Sequence, residues 1–255
     1  MDKIEKYIEK IDESKPIKQS NRLVEAKYKL TATEIKIVLA IASQLNKTGE
    51  SFKSVRISAA ALIDFCGFSS TSGRSLLKEA CCSLRSKVLE LQLESGDWYV
   101  TGFVNSAYYH AGVVDFTFDE RLKDDLLNVK QAYLTIHPKI LRNFKSAFSI
   151  RLYMLLKKAL KMKEVEYYID DIRDRFQMRK TYKHFAHFKY NFLETSIAEI
   201  NEKSDIKVTY TLIKEGRAFK KVRFKITEVN NKREKGNNKK TMWNAEKQIF
   251  EVKGE

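Results

Sequence analysis

One order of predicted elements runs twice through this 255-residue chain, and that recurrence limits the fold more than any single motif does. In the first half, Leu30–Lys47 carries Ile35, Val38, Leu39, Ala42 and Leu45 at helical spacing. Thr31 and Glu34 stand at the capping-box interval. Ser54–Ser58 alternates as a strand does, and Ala59–Phe68 reads as a short helix stopped near Gly67. After a polar hinge, Leu76, Leu77, Ala80, Cys81, Leu84, Val88 and Leu91 mark a longer helix. Leu91–Val104 then reads as two strands about a Ser-Gly-Asp turn.

The second half repeats this order. Ala147–Lys161 is a helix, VEYYID a strand, DIRDRFQM a short helix and His184–Lys203 a long one. Two strands, Ile206–Ile213 and Phe219–Glu228, follow around Lys214–Arg217. Matched points lie about 110 to 115 residues apart: Ile57 with Ile169, Phe65 with Phe176, Leu84 with Ile197, Leu93 with Val208. Helix, strand, two helices and a hairpin describe a helix-turn-helix with a β-ribbon appended. The expected class is therefore α+β, with two pseudo-symmetric winged-helix domains in tandem. Residues 1–19 form an N-terminal extension, 20–138 the first domain, 139–228 the second, and 229–255 a basic flexible tail in which Trp243, Ile249 and Phe250 offer a short apolar patch. In the extension, Ile4, Tyr7, Ile8 and Ile11 would share one helical face as far as Pro16. The join is placed within Asp115–Ile140, with a helix at Glu120–Leu127.

The net charge is +15, and it is unevenly placed. Residues 1–138 hold 19 basic against 18 acidic side chains, and the rest hold 29 against 15. A positive field confined to one half fits a polyanion partner, because each neutralised phosphate releases condensed counterions. Cys66, Cys81 and Cys82 form no CxxC pair, and no apolar run is long enough to span a bilayer. A reducing cytoplasm is expected, without membrane contact.

Within the long second helix, Phe185, Phe188, Phe192, Ile197 and Ile200 belong to a core. That leaves Lys183, His184, His187, Lys189, Tyr190 and Asn191 on the exposed first turns. Lysine reaches phosphate or guanine, and an asparagine amide pairs with adenine. The neighbouring ribbon collects Lys214, Arg217, Lys220, Lys221, Arg223 and Lys225. Strand alternation puts Lys221, Arg223 and Lys225 on one face, read here as a phosphate clamp beside the helix start. The bland alternative is a solvated helix face. In the first domain the corresponding helix offers Arg74, Ser75 and Lys78, and LESGDWYVTG is taken as its ribbon. Trp98, Tyr99, Tyr108 and Tyr109 are read as packing residues.

Enzyme readings find little support. The four histidines (His110, His137, His184, His187) include no pair on a strand that could hold a nuclease metal. There is no GxxxxGK[ST] phosphate loop. Asp124-Asp125 and Asp170-Asp171 stand at strand ends or helix starts, where a negative charge is stabilising. No catalytic residue, metal or cofactor is expected.

Three stretches carry a resemblance: Ser20–Leu45; Phe144–Lys158, with the pattern S-x-x-S-I-R-L-Y-x-L-L at Ser146–Leu156; and Phe188–Ile226, with F-L-x-x-x-I-x-E-I-N and a K-x-G-R turn. In combination they resemble the replication initiators of iteron plasmids over about residues 20–228. The resemblance implies two winged-helix domains that bind short direct repeats (iterons) in double-stranded DNA at a plasmid origin. It implies melting of an adjacent AT-rich segment, recruitment of the host initiator and replicative helicase, and a monomer–homodimer equilibrium in which first-domain dimers repress the protein's own gene. By position the base-reading helix falls on Lys183–Asn191 and the phosphate-clamping wing on Lys214–Lys221. Some relatives carry more arginine where this chain has Lys189-Tyr190-Asn191. A winged-helix transcriptional repressor without a replication role is the alternative, and a nicking enzyme the third class.

Overall fold

The computed structural model describes residues 7–14, 16–48, 54–92, 95–126 and 133–229. It contains two winged helices built to one plan. The first module opens with a short strand β1 (Ile17–Ser20) and helix α1 (Asn21–Glu25), then runs through α2 (Ala32–Thr48), β2 (Ser54–Ser58), α3 (Ala59–Cys66) and α4 (Gly73–Arg85). A hairpin of β3 (Leu89–Gln92) and β4 (Trp98–Thr101) follows, then β5 (Ser106–His110) and β6 (Val113–Thr117). Short α5 (Lys123–Leu126), β7 (Tyr133–Ile136) and α6 (Pro138–Asn143) lead out of it. The second module is α7 (Ala147–Lys158), β8 (Glu164–Tyr168), α8 (Ile169–Arg175), a helix in three parts, and the long strands β9 (Ile206–Glu215) and β10 (Ala218–Glu228). The three-part helix is α9 (Phe185–His187), a π-turn (Phe188–Glu194) and α10 (Thr195–Lys203).

Local chemistry explains the boundaries. Glu34 N–H donates to Thr31 Oγ1 at 3.2 Å and Thr31 N–H to Glu34 Oε2 at 2.6 Å, closing the capping box of α2. Gly67 ends α3 at φ +76°, a conformation costly for other residues. Gly73 opens α4 where a Cβ would stand 2.6 Å from Ile63 Cγ2, so the two helices meet only because a glycine is there.

Sheet register shows the duplication pair by pair. The first module's three-stranded sheet has the order β2-β6-β5, the second's β8-β10-β9. Ile57 pairs with Val114 and Val55 with Phe116, as Tyr167 pairs with Val222 and Val165 with Phe224. Ile57 thus answers Tyr167, not Ile169. The predicted ribbon of the first module also changes. β3 and β4 do form around Ser95–Asp97, but as a separate two-stranded hairpin. The strand pair equivalent to β9 and β10 is β5 and β6, turning through Ala111 and Gly112 at φ +46° and +82°. Leu93 lies outside the described residues, so its proposed match with Val208 does not carry the symmetry.

The N-terminal helix expectation fails where it can be seen. Ile8 makes a parallel bridge to Ile57 and Ile11 is buried, in extended and turn backbone. Residues 1–6 and the tail 230–255 lie outside the described residues, as does Leu127, the end of the helix expected at Glu120–Leu127. Within that span the chain makes a short 3-10 turn and α5. Strand β1, not anticipated, pairs antiparallel with β7.

The two modules meet on α7. Arg151, 3% exposed, donates through Nη1 to Tyr28 O at 2.5 Å and Arg175 O at 3.0 Å, and through Nη2 to Ala26 O at 2.8 Å. Its guanidinium lies 3.7 Å from the Tyr28 ring centre and 4.5 Å from that of Phe176. Burial pulls its pKa down, against the stabilising carbonyls. Beside it, Tyr153 O–H and Lys157 Nζ each reach Asp205 at 2.9 Å, tying α7 to the start of β9. Glu25 pairs with Arg175 at 3.3 Å and with Lys158. The Ser-Ile-Arg-Leu-Tyr block is therefore a joint: Ile150 and Leu152 fill the core, while Arg151 and Tyr153 hold neighbouring segments.

Arg151→Ala would strand three carbonyls, those of Ala26 and Tyr28 buried and that of Arg175 partly so. A loss of about 3–5 kcal/mol in chemical denaturation is expected, with Arg151→Lys unable to restore it because an ammonium lacks the planar fork.

Candidate nucleic-acid interface

The second module brings a helix start and a hairpin tip to one side. Phe185, at the beginning of α9, stacks on Phe219 of β10 with ring centres 5.0 Å apart and planes 19° apart. Lys214, opposite Phe219 in the hairpin register, holds its Nζ 5.2 Å from the Phe219 ring centre. Asp170, Arg173, Lys183 and Lys220 line a shallow cleft around the same two phenylalanines. Gly216 at φ +64° starts the two-residue turn that exposes Arg217 at the tip. Lys183, Lys214, Arg217 and Lys220 are all exposed here.

The helix is anchored from behind by aromatic packing. Phe192 meets Phe148, Phe176, Tyr182 and Phe188, with ring centres 5.1–6.3 Å apart. The outward residues include His184, His187, Tyr190 and Asn191, all exposed, and Lys189, partly buried. Lys189 Nζ lies 3.7 Å from Glu194 and 4.7 Å from the Tyr190 ring centre. His184 and His187 touch edge to face at 5.8 Å. Among the described residues no three His, Cys, Asp or Glu side chains come together as a metal site.

Three of the predicted ribbon residues stand elsewhere. Val222, Phe224 and Ile226 turn into the core, so Lys221, Arg223 and Lys225 must face the opposite side of the sheet. Lys221 is paired there with Glu215 at 2.8 Å and lies 4.5 Å from the Tyr168 ring centre. Glu215, then Tyr168, hold its pKa above the ordinary lysine value. Arg223 pairs with Glu166 at 2.5 Å and Glu164 at 3.3 Å. The basic stripe read as a clamp beside the helix is thus an ion-paired outer face, separated from Lys189 by the sheet itself. Arg217, Lys214 and Lys220 remain with the helix start.

In the first module, Arg74 and Lys78 are exposed on α4, and Ser75 Oγ donates to Glu79 at 3.3 Å. Its wing carries Tyr108 and Tyr109, 65% and 51% exposed, with Tyr108 stacked on His110. Trp98 on β4 is 71% exposed. These three are surface residues, contrary to the packing role expected of them; Tyr99 is packed against the core. Phe219 and Asp170 were not foreseen. The signal for Phe219 is spacing: an aromatic two residues beyond a K-x-G-R turn, opposite an aromatic helix start.

Residues 16–157 match the family model described as "Initiator Replication protein, WH1", and residues 168–226 match "Initiator Rep protein, WH2". The chain belongs to the replication initiator proteins. The initiator's fold is also that of solved structures. The Pi initiator protein, crystallised in complex with iteron DNA, superposes with a TM-score of 0.66 at 19% identity, over 87% of this chain and 100% of that one. Domains 2 and 3 of RctB superpose with a TM-score of 0.50 at 10% identity, over 77% and 80%. At these identities the likeness is one of fold. Among the initiator's described residues no helix is long and apolar enough to cross a membrane.

The Phe185–Phe219 stack joins the start of the initiator's helix to the tip of its wing, and such a ring pair is worth about 0.5–1.5 kcal/mol beyond its buried area. Phe219→Ala should therefore speed amide hydrogen exchange through Lys214–Lys220 while leaving exchange around Arg151 unchanged. Unaltered exchange at the wing would show that something else holds it.

Proposed function

We propose that this initiator binds short direct repeats at a plasmid origin, reading them with the second module. The observation that carries the reading is the junction at Phe185 and Phe219, which sets the first turns of the helix beside Lys214, Arg217 and Lys220. A helix of this kind enters the major groove while the wing follows the adjacent sugar–phosphate backbone. Lys189 and Asn191 are the base-reading candidates, Tyr190 donates to a phosphate or packs on a thymine methyl, and Lys183, His184 and His187 flank them. Arg217, Lys214 and Lys220 neutralise phosphates. Arg74, Ser75 and Lys78 of the first module add a second, weaker contact.

Lys221 and Arg223 act at one remove in this reading. Their carboxylate partners keep the outer sheet face near neutrality, so the field of the module is concentrated on the helix side. Family membership and the fold shared with the Pi initiator, which was crystallised with iteron DNA, support the assignment. Melting of an AT-rich segment, recruitment of the host initiator and replicative helicase, and repression by a dimer complete the proposed role. The proposal includes no catalytic step.

Base readers and phosphate clamps fail differently. Lys189→Ala should cost about 1–3 kcal/mol on the preferred repeat and little on a scrambled duplex. Arg217→Ala should weaken both alike and reduce the slope of log K against log salt by about one. Fluorescence anisotropy on both duplexes at several salt concentrations separates the two, and unchanged affinity for both variants would overturn the assignment.

A further inference from the structure

The helix that presents Lys189–Asn191 is not a plain α-helix, and its departure is written into its spacing. Phe188, Phe192, Ser196 and Ile200 stand four apart and are 0%, 0%, 1% and 0% exposed. At about 3.6 residues per turn, a row spaced by four drifts roughly 40° at each step, so Ile200 would lie roughly 120° away from Phe188. All four can face one core only if the helix takes in about one extra residue. The π-turn at Phe188–Glu194 supplies it.

Three side chains brace that turn, two of them at a five-residue interval that only a π-register brings together. Thr195 Oγ1 donates to Tyr190 O at 3.0 Å. Glu194 pairs with Lys189. Tyr210, from β9, donates its O–H to Glu194 at 3.0 Å. Burial, then the bond to Glu194, raises the Tyr210 pKa, so it stays a donor. Tyr210 stands opposite Phe224 on the helix-facing side of the hairpin, and therefore ties the wing strand to the turn. Within this turn Lys189 and Asn191 flank Tyr190, which is 56% exposed. Returning the segment to α-register would swing them by roughly 100° relative to Ile197 and Ile200.

We propose that Glu194, Thr195 and Tyr210 are specificity-determining positioning residues: they hold the π-turn that aims Lys189, Tyr190 and Asn191 at the bases. This rests on the sequence-specific DNA reading above. None of the three needs to touch DNA. Their effect passes through the aim of Lys189 and its neighbours, and Glu194 also keeps the Lys189 ammonium from phosphates of any sequence.

The test uses the full chain and a duplex enriched from a random library by the wild-type protein, against a scrambled duplex of equal length. Tyr210→Phe removes one hydroxyl. It should lower the ratio of preferred to scrambled affinity by roughly tenfold, with melting temperature and salt slope nearly unchanged. Glu194→Gln should lower the same ratio, in part by raising affinity for the scrambled duplex. Thr195→Val should act likewise, and Thr195→Ser should restore the wild-type ratio. In a Lys189→Ala background the Tyr210→Phe effect should shrink, leaving only the part that passes through Tyr190 and Asn191. A ratio unmoved in all three single variants, an equal loss on both duplexes, or full additivity with Lys189→Ala would overturn the proposal. Failure of the wild-type protein to enrich any consensus would instead overturn the sequence-specific reading beneath it.

Discussion

A single buried guanidinium sets the relation on which the rest of the molecule depends. Arg151 is inside the protein, and main-chain carbonyls from both modules accept from its two terminal nitrogens. A buried cation met in this way is a geometric constraint more than a source of net stability, since its desolvation offsets much of what the bonds return. The carbonyls of Ala26 and Tyr28 come from the segment between α1 and α2, and that of Arg175 from the end of α8. Fixing them to one side chain fixes the first winged helix against the second. Tyr153, two residues on, extends the same helix's hold to Asp205 and the root of the hairpin. α7 thus connects the joint between modules to the elements proposed to meet DNA.

Charge is placed with equal selectivity. Most basic side chains of the second module are not spread over it as a uniform field. Lys221 and Arg223 are matched with Glu215, Glu164 and Glu166 on the outer face, and Arg179 with Asp174 near α8. Even Lys189 has Glu194 beside it. Exposed pairs of this kind contribute little to stability. Their consequence is directional, because a phosphate offered to such a residue competes with a carboxylate already in place. Lys183, Lys214 and Lys220 around the Phe185–Phe219 stack, with Arg217 at the hairpin tip, are the cations proposed to meet phosphate.

Features set by neighbours in sequence were legible before the fold was known. The capping box at Thr31 and Glu34, the stop at Gly67, the hairpin turn at Gly216 and the doubled element order all depend on short-range chemistry, and all are present. Features set by distant pairing were not. β3–β4 and β5–β6 are both plausible ribbons by pattern, and only the pairing of β2 with β6 decides which is the wing. β1 has four residues and finds its partner in β7. Arg151 has apolar neighbours at three and four residues to either side (Ala147, Phe148, Met154 and Leu155), which points to burial, but the carbonyls it meets come from distant segments. The orientation of the basic stripe was available in principle, because Val222, Phe224 and Ile226 had to face the core and Lys221 and Arg223 therefore could not. The π-turn was half-visible: the four-residue row is in the sequence, but Ser196 disguises it until its burial is known.

The central claim is that the second module meets DNA with the side that carries Tyr190 and Arg217, not with the outer face of its sheet. Photocrosslinking tests this most directly, with p-benzoylphenylalanine placed singly at positions 190, 217 and 223 of the full chain bound to its preferred duplex. Adducts to DNA from 190 and 217, and none from 223, are the expected result. Adducts from 223 with none from 190 would contradict it.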